Sequence, residues 1–254
     1  MKNYHHPFFD QILHYQQIGS TFSKAEQLVR QGTAQGNFLL LADAQSNGRG
    51  RGEAVWYSPA GGIWLTMGIY GLPQVSGLTL FIGICLHRIL TGLYPEISEQ
   101  LLLKWPNDLY CEENKIGGIL SEYLSSRKYH LVGIGLNTSL AVFPEELTET
   151  ASSLQLALQR NISNREILDS FFTHFSTELP DFLESGLEVD YFQNHSLLTN
   201  LKIRLQTDFD QFTGICRGIN REGALLLEIK PGMIQPFFAG SVVEFSKIKT
   251  GIEK

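Results

Sequence analysis

Apolar and polar positions divide the chain into a readable series of elements. "QILHYQQIG" (residues 11–19) reads as a first strand. "STFSKAEQLVRQG" follows with Ala25, Leu28 and Val29 on one helical stripe, Ser20 or Thr21 as cap and Gly32 as stop. "NFLLLA" (37–42) and "GIWLTMGIY" (62–70) read as buried strands, and residues 75–94 as an apolar helix ended by Pro95. "LLLKW", "KIGGILSEYL" and "YHLVGIGLN" are three more strand-like runs, punctuated by Pro106-Asn107-Asp108 and Glu113-Asn114. From Ser163 to Ser196 the period is helical, with a break or bend expected at Pro180. From Leu201 onward the runs are short and strand-like, with turns at Asn220–Gly223 and Lys230–Gly232. This pattern predicts an α+β domain over residues 1–197 and a small barrel over 198–254, with the boundary near His195–Asn200.

One stretch resists the pattern. About 19 residues (43–61) separate two buried strands with no periodicity of either kind, and they contain Gly48-Arg49-Gly50-Arg51-Gly52 and then Trp56. Aperiodic loops this long inside a compact domain are functional or disordered. Arginine carries a planar fork of donors matched to carboxylate and phosphate oxygens, and glycine lets backbone N–H groups approach a ligand. The stretch therefore reads as a flexible anion clamp. A disordered RNA-binding tract fits poorly between apolar strands, and simple solvation of the arginines is the bland alternative.

Composition narrows the classes. The chain has 254 residues, 43% hydrophobic and 18% charged, with a net charge of −6, and so can bury a core. The acidic balance disfavours binding to phosphate backbones. "MKNYHHPFFDQ" has no apolar signal region, and the most apolar helix carries His87 and Arg88, so neither secretion nor a membrane span is expected. Three widely spaced cysteines fit a reduced, cytoplasmic protein. No Walker loop, dinucleotide fingerprint, H-E-x-x-H, C-x-x-C or G-x-S-x-G motif is present.

A second cluster, "KWPNDLYCEENKIGGILSE", places Lys104, Asn107, Asp108 and Lys115 in one hairpin, with Gly117-Gly118 implying close approach by a ligand or another segment. Beside an anion clamp these residues can handle phosphate and metal. A third signal, Asn137 at the end of "VGIGLN", is weak alone.

In this order, Ser20-Thr21, Gln45 with Gly48–Arg51, Trp56-Tyr57-Ser58-Pro59, Lys104–Asp108, Lys115–Leu120 and Gly135-Leu136-Asn137 resemble the motifs of biotin–protein ligases over about residues 10–245. Phe22 departs from the family's Asn, and Glu53-Ala54-Val55 from its Gly and basic residues. The resemblance implies a class II synthetase-like fold, a mixed, largely antiparallel sheet packed against helices, with a C-terminal SH3-like barrel. It implies an enzyme that joins biotin to the α-phosphate of ATP, with Mg²⁺, and passes it to a lysine of the biotin carboxyl carrier domain of acetyl-CoA carboxylase or another biotin-dependent carboxylase. By the same resemblance Ser20, Thr21, Gln45, Gly48, Arg49, Trp56, Lys115 and Gly117 would bind biotin. Arg51, Trp56, Asn107 and Asn137 would bind the nucleotide, and Lys115, Arg49, Arg51 and Asp108 would be catalytic. Asp108 would hold Mg²⁺ or orient the incoming lysine. A monomer or homodimer is expected, and the short segment before the first strand leaves no room for the helix-turn-helix of regulatory members. A lipoate–protein ligase, whose Arg-Arg-x-Ser-Gly-Gly-Gly run is missing here, and a non-catalytic biotin-binding protein are the alternatives.

Overall fold

The computed structural model describes residues 4–246. Strands β1 (Gln11–Ile18) and β2 (Phe38–Arg49) are parallel, and α1 (Thr21–Gln31) makes the crossover that parallel pairing requires. Ser20 caps α1 by accepting from the Ser23 N–H at 3.3 Å, and Gly32 ends it at φ 71°. β4 (Ile63–Tyr70), α2 (Leu78–Leu93), β5 (Leu101–Lys104), β6 (Asp108–Cys111), β7 (Asn114–Leu124) and β8 (Tyr129–Leu136) follow. They give the sheet order β1-β2-β4-β8-β7-β6-β5. Both faces are covered, which is why the central strands are apolar throughout. Phe38 and Leu40 face α1, whereas Leu39 and Leu41 face α2 and the later helices.

The aperiodic stretch is largely a hairpin. β2 continues to Arg49, beyond its pairing with β4, and turns into β3 (Val55–Ser58), which pairs back onto it. Its sequence lacks a period because this extension runs past β4 and buries no continuous face. α3 (Leu154–Leu158), a single short turn, carries no sequence signal of its own. α4 (Asn164–Ser185) runs through Pro180 without the break that the sequence allowed there. Pro180 is exposed, while Phe171, Phe175, Leu179 and Phe182 form one buried stripe on both sides of it.

After α5 (Val189–Asn194) come β9 (Lys202–Gln206), β10 (Gln211–Ile219), β11 (Leu225–Lys230), β12 (Met233–Phe237) and β13 (Ser241–Ser246). They form an antiparallel sheet in the order β12-β11-β10-β9-β13. Among the described residues no ladder joins β12 to β13, so the expected barrel stands as an open sheet. One hydrophobic cluster runs from α2 and α4 into this second sheet through Ile203, Leu205, Leu225 and Leu227. Trp105 Nε1 donates to the Gly223 carbonyl at 3.0 Å across the same contact.

Candidate active site

The N-terminus of α1, the β2–β3 hairpin, and strands β4, β6, β7 and β8 surround a cavity of about 300 Å³. Its polar end is a directed chain of hydrogen bonds. The Thr66 hydroxyl donates to Thr21 Oγ1 at 2.9 Å, and Thr21 donates to Gln45 Oε1 through both its hydroxyl and its backbone N–H, at 3.0 and 2.7 Å. Gln45 Nε2 in turn donates to Ser58 Oγ at 2.9 Å. Thr66 is fully buried in an otherwise apolar strand, so its hydroxyl needs this partner.

The floor is made of glycines because a ring lies on it. Trp56 spans Gly118 of β7 and Gly135 of β8, which are register partners. A Cβ at Gly135 would sit 2.5 Å from Trp56 Nε1, and one at Gly118 would sit 3.1 Å from its Cζ3. The buried Trp56 Nε1 has no hydrogen-bond partner among the described residues. A buried donor without a partner is costly, so a movement of the ring that lets it meet a ligand acceptor is favoured.

Three cations line the cavity in different electrostatic states. Lys115 Nζ lies 2.6 Å from Asp108 Oδ1 and 5.1 Å from the centre of the Trp56 ring. The Lys115 backbone is pinned as well, its N–H donating to the Thr150 carbonyl and its carbonyl accepting from Ser152. Arg49 reaches Glu26 at 3.2 Å and Glu122 at 3.6 Å, with its guanidinium over the Phe22 ring at 5.1 Å. Arg51 meets neutral acceptors: Asn107 Oδ1 at 3.3 Å, the Gly240 carbonyl at 2.7 Å and Ser241 Oγ at 3.2 Å. Just behind, Lys104 donates to the Tyr110 hydroxyl at 3.3 Å. Burial pushes the Lys104 ammonium below its usual range, against the pull of Asp108. Burial, aided by Asp108, pushes the Tyr110 phenol up to about 12, so it stays neutral.

Ser20, Thr21, Gln45, Arg49, Arg51, Trp56, Asn107, Asp108 and Lys115 thus share one cavity. Three other candidates do not line it. Gly117 points to the opposite face, where a Cβ would meet Leu136 Cδ1 at 3.0 Å; Gly118 takes the cavity position. Gly48 acts behind the wall, allowing β2 to pass the Trp56 carbonyl, which a Cβ would approach to 2.5 Å. Asn137 is buried and clamps the 150–154 segment, donating from Nδ2 to the Ser152 carbonyl at 3.0 Å. The sequence reading missed Phe22, Thr66, Gly133, Gly135 and Ser241 as lining residues. Thr66 could have been found as the polar position in "IWLTMGIY", but Ser241 arrives from the second sheet and has no local signal.

The family model described as biotin/lipoate A/B protein ligase matches residues 15–139. The chain is 30% identical over 233 residues to the bifunctional ligase/repressor BirA of Bacillus spizizenii, covering 87% of this chain and 70% of BirA. The chain belongs to the biotin–protein ligase family. This ligase is also 29% identical over 236 residues to the biotin–[acetyl-CoA-carboxylase] ligase of Mycobacterium tuberculosis, covering 89% and 86% of the two chains. The ligase fold superposes on the biotin protein ligase of Aquifex aeolicus solved with biotin and ATP, with a TM-score of 0.80, 26% identity, and 94% and 98% of the chains covered.

Proposed function

We propose that this ligase converts biotin and ATP to biotinyl-5′-AMP and then transfers the biotinyl group to a lysine of a biotin carboxyl carrier domain, in acetyl-CoA carboxylase or another biotin-dependent carboxylase. The observation that carries this reading is the convergence of Arg51 and the Lys115–Asp108 pair on the cavity that also holds the Thr66–Thr21–Gln45–Ser58 chain. That chain suits a ring that offers both N–H donors and a carbonyl acceptor, as the ureido ring of biotin does. A dithiolane, with only weak sulfur acceptors, offers this chain no comparable partner, which disfavours lipoate.

In the first step a biotin carboxylate oxygen attacks the α-phosphorus and pyrophosphate leaves. Two unit negative charges about 4 Å apart repel by ~4 kcal/mol at an effective dielectric of 20, so positioned cations are needed. Lys115 is held in place by its backbone ladder and by Asp108, and stabilises charge on the transferring oxygens. Arg51 meets the phosphate without having to give up a carboxylate partner, and Arg49 stands at the rim. In the second step the acceptor amine attacks the acyl carbon and AMP leaves. Asp108 orients that amine. The cavity, about 300 Å³, is at the lower end of the range for small-molecule sites, so the nucleotide's arrival displaces Trp56 or the hairpin turn.

Among the described residues no group of three or more His, Cys, Asp or Glu side chains can hold a metal. Asp108, the carboxylate at this end of the cavity, is already paired with Lys115. The residues therefore do not build a resident magnesium site, and Mg²⁺ enters as part of the MgATP substrate, held chiefly by phosphate oxygens. Three unbridged, buried cysteines are consistent with a reducing, cytoplasmic setting. The test is to incubate the protein with MgATP, biotin and a carrier domain, and to read the carrier by intact mass. One biotinyl group on one lysine is expected; an unmodified carrier, or equal modification by lipoate, would contradict the reading.

A further inference from the structure

Strand β13 of the second sheet reaches the cavity at its start and the lysine just behind the cavity further along. At its start, Arg51 Nη2 donates to the Gly240 carbonyl at 2.7 Å and to the Ser241 hydroxyl at 3.2 Å, and Ser241 lines the cavity. Further along, the Phe245 ring lies 5.1 Å from Lys104 Nζ, as does the ring of Tyr110. Lys104 is the cross-strand neighbour of Asp108, and Asp108 is the partner of Lys115. The strand therefore contacts a cation on each side of the Lys115–Asp108 pair. Resting on the adenylating reading above, we propose that β13 is a working wall of the ligase site, in which Ser241 and the Gly240 carbonyl position Arg51 and Phe245 positions Lys104.

The chemistry of the contacts supports more than packing. Among the described residues Arg51 faces only neutral acceptors, whereas Arg49 faces two carboxylates. Neutral acceptors orient a guanidinium without cancelling the charge that an incoming phosphate would meet. Gly240 is fixed by its neighbour β9, since its φ is 142° and a Cβ there would come within 2.9 Å of the Gln206 carbonyl, and this leaves its own carbonyl to accept from Arg51. Two aromatic faces hold the Lys104 ammonium in the same way, attracting it without neutralising it and limiting its contact with water. A strand that only completed the β9 edge would need neither a hydroxyl aimed at Arg51 nor an aromatic ring over Lys104.

The test uses the full chain with Ser241→Ala, Phe245→Leu and Phe245→Tyr, each first checked for wild-type thermal unfolding. Pyrophosphate exchange into ATP is followed with kcat and the KM values for ATP and biotin resolved, and biotin affinity is measured by titration calorimetry without ATP. Ser241→Ala and Phe245→Leu should each lower kcat/KM for ATP by about tenfold while biotin affinity stays within about twofold, and Phe245→Tyr should retain most of the activity. Unchanged constants in both Ser241→Ala and Phe245→Leu would overturn the proposal. So would a parallel loss of biotin affinity, or failure of tyrosine to rescue. A wild-type protein lacking biotin-dependent exchange would overturn the adenylating reading itself.

Discussion

Lys115 and Gly118 share the cavity although they are an odd number of residues apart. In a regular strand that spacing puts two residues on opposite faces. Here Tyr110 pairs with Lys115 while its neighbour Leu109 pairs with Gly117, so one extra residue is bulged into β7 and the face switches. The motif made Lys115 and Asp108 legible, but the bulge was not, and with it which glycine of the Gly117-Gly118 pair faces the cavity. For Asn137 the position at a strand end was visible, but not that its amide is used on the segment that pins the Lys115 backbone. Lys115→Ala removes one preorganised cation and should lower biotinyl-adenylate formation by ~10²–10³-fold while keeping the apolar contribution to biotin binding. Pyrophosphate release at saturating biotin and ATP, with thermal unfolding as control, measures this. Near wild-type turnover in a folded variant would remove Lys115 from the mechanism.

At the scale of elements, the β2–β3 hairpin gives the glycines and arginines a definite frame. Asn47 N–H donates to the Gly19 carbonyl at 2.8 Å and Gly50 N–H to the Ala54 carbonyl at 2.7 Å, which confines the turn to residues 51–53. Hydrogen exchange should therefore show Asn47 and Gly50 protected without ligand, and Arg51, Gly52 and Glu53 gaining protection once biotin and ATP are added. Strong protection of all five in both states would argue against a closing turn. A second element-level junction is His87, buried on α2, which contacts the Tyr191 hydroxyl at 2.8 Å and the Leu101 carbonyl at 2.9 Å. Burial lowers its pKa to about 4, so the unfolded chain takes up a proton first as pH falls. The stability this neutral His87 contributes is complete above about pH 6.5 and lost as pH drops toward 4, a change of about 3 kcal/mol. Urea unfolding at several pH values should show a shallower acid slope for His87→Asn than for wild type; identical slopes would contradict the assignment.

The whole molecule has one principal core rather than two separate ones. The cluster beneath the main sheet continues into the second sheet, and buried Trp105 donates across the junction. The change of pattern near residue 200 was legible from the short apolar runs, but not this continuity, because local periodicity does not say which faces meet. Deleting residues 201–254 should accordingly expose core side chains and orphan the Trp105 N–H, leaving a chain without cooperative unfolding by circular dichroism; a truncated protein with a sharp transition would contradict this. One cavity brings a biotin carboxylate to ATP under the charge of Arg51 and Lys115 in the proposed reaction. Exchange of labelled pyrophosphate into ATP, with biotin, lipoate or neither added, tests it most directly. Exchange with biotin and background with lipoate or neither is expected, whereas background exchange with biotin, or equal exchange with lipoate, would contradict the proposed reaction.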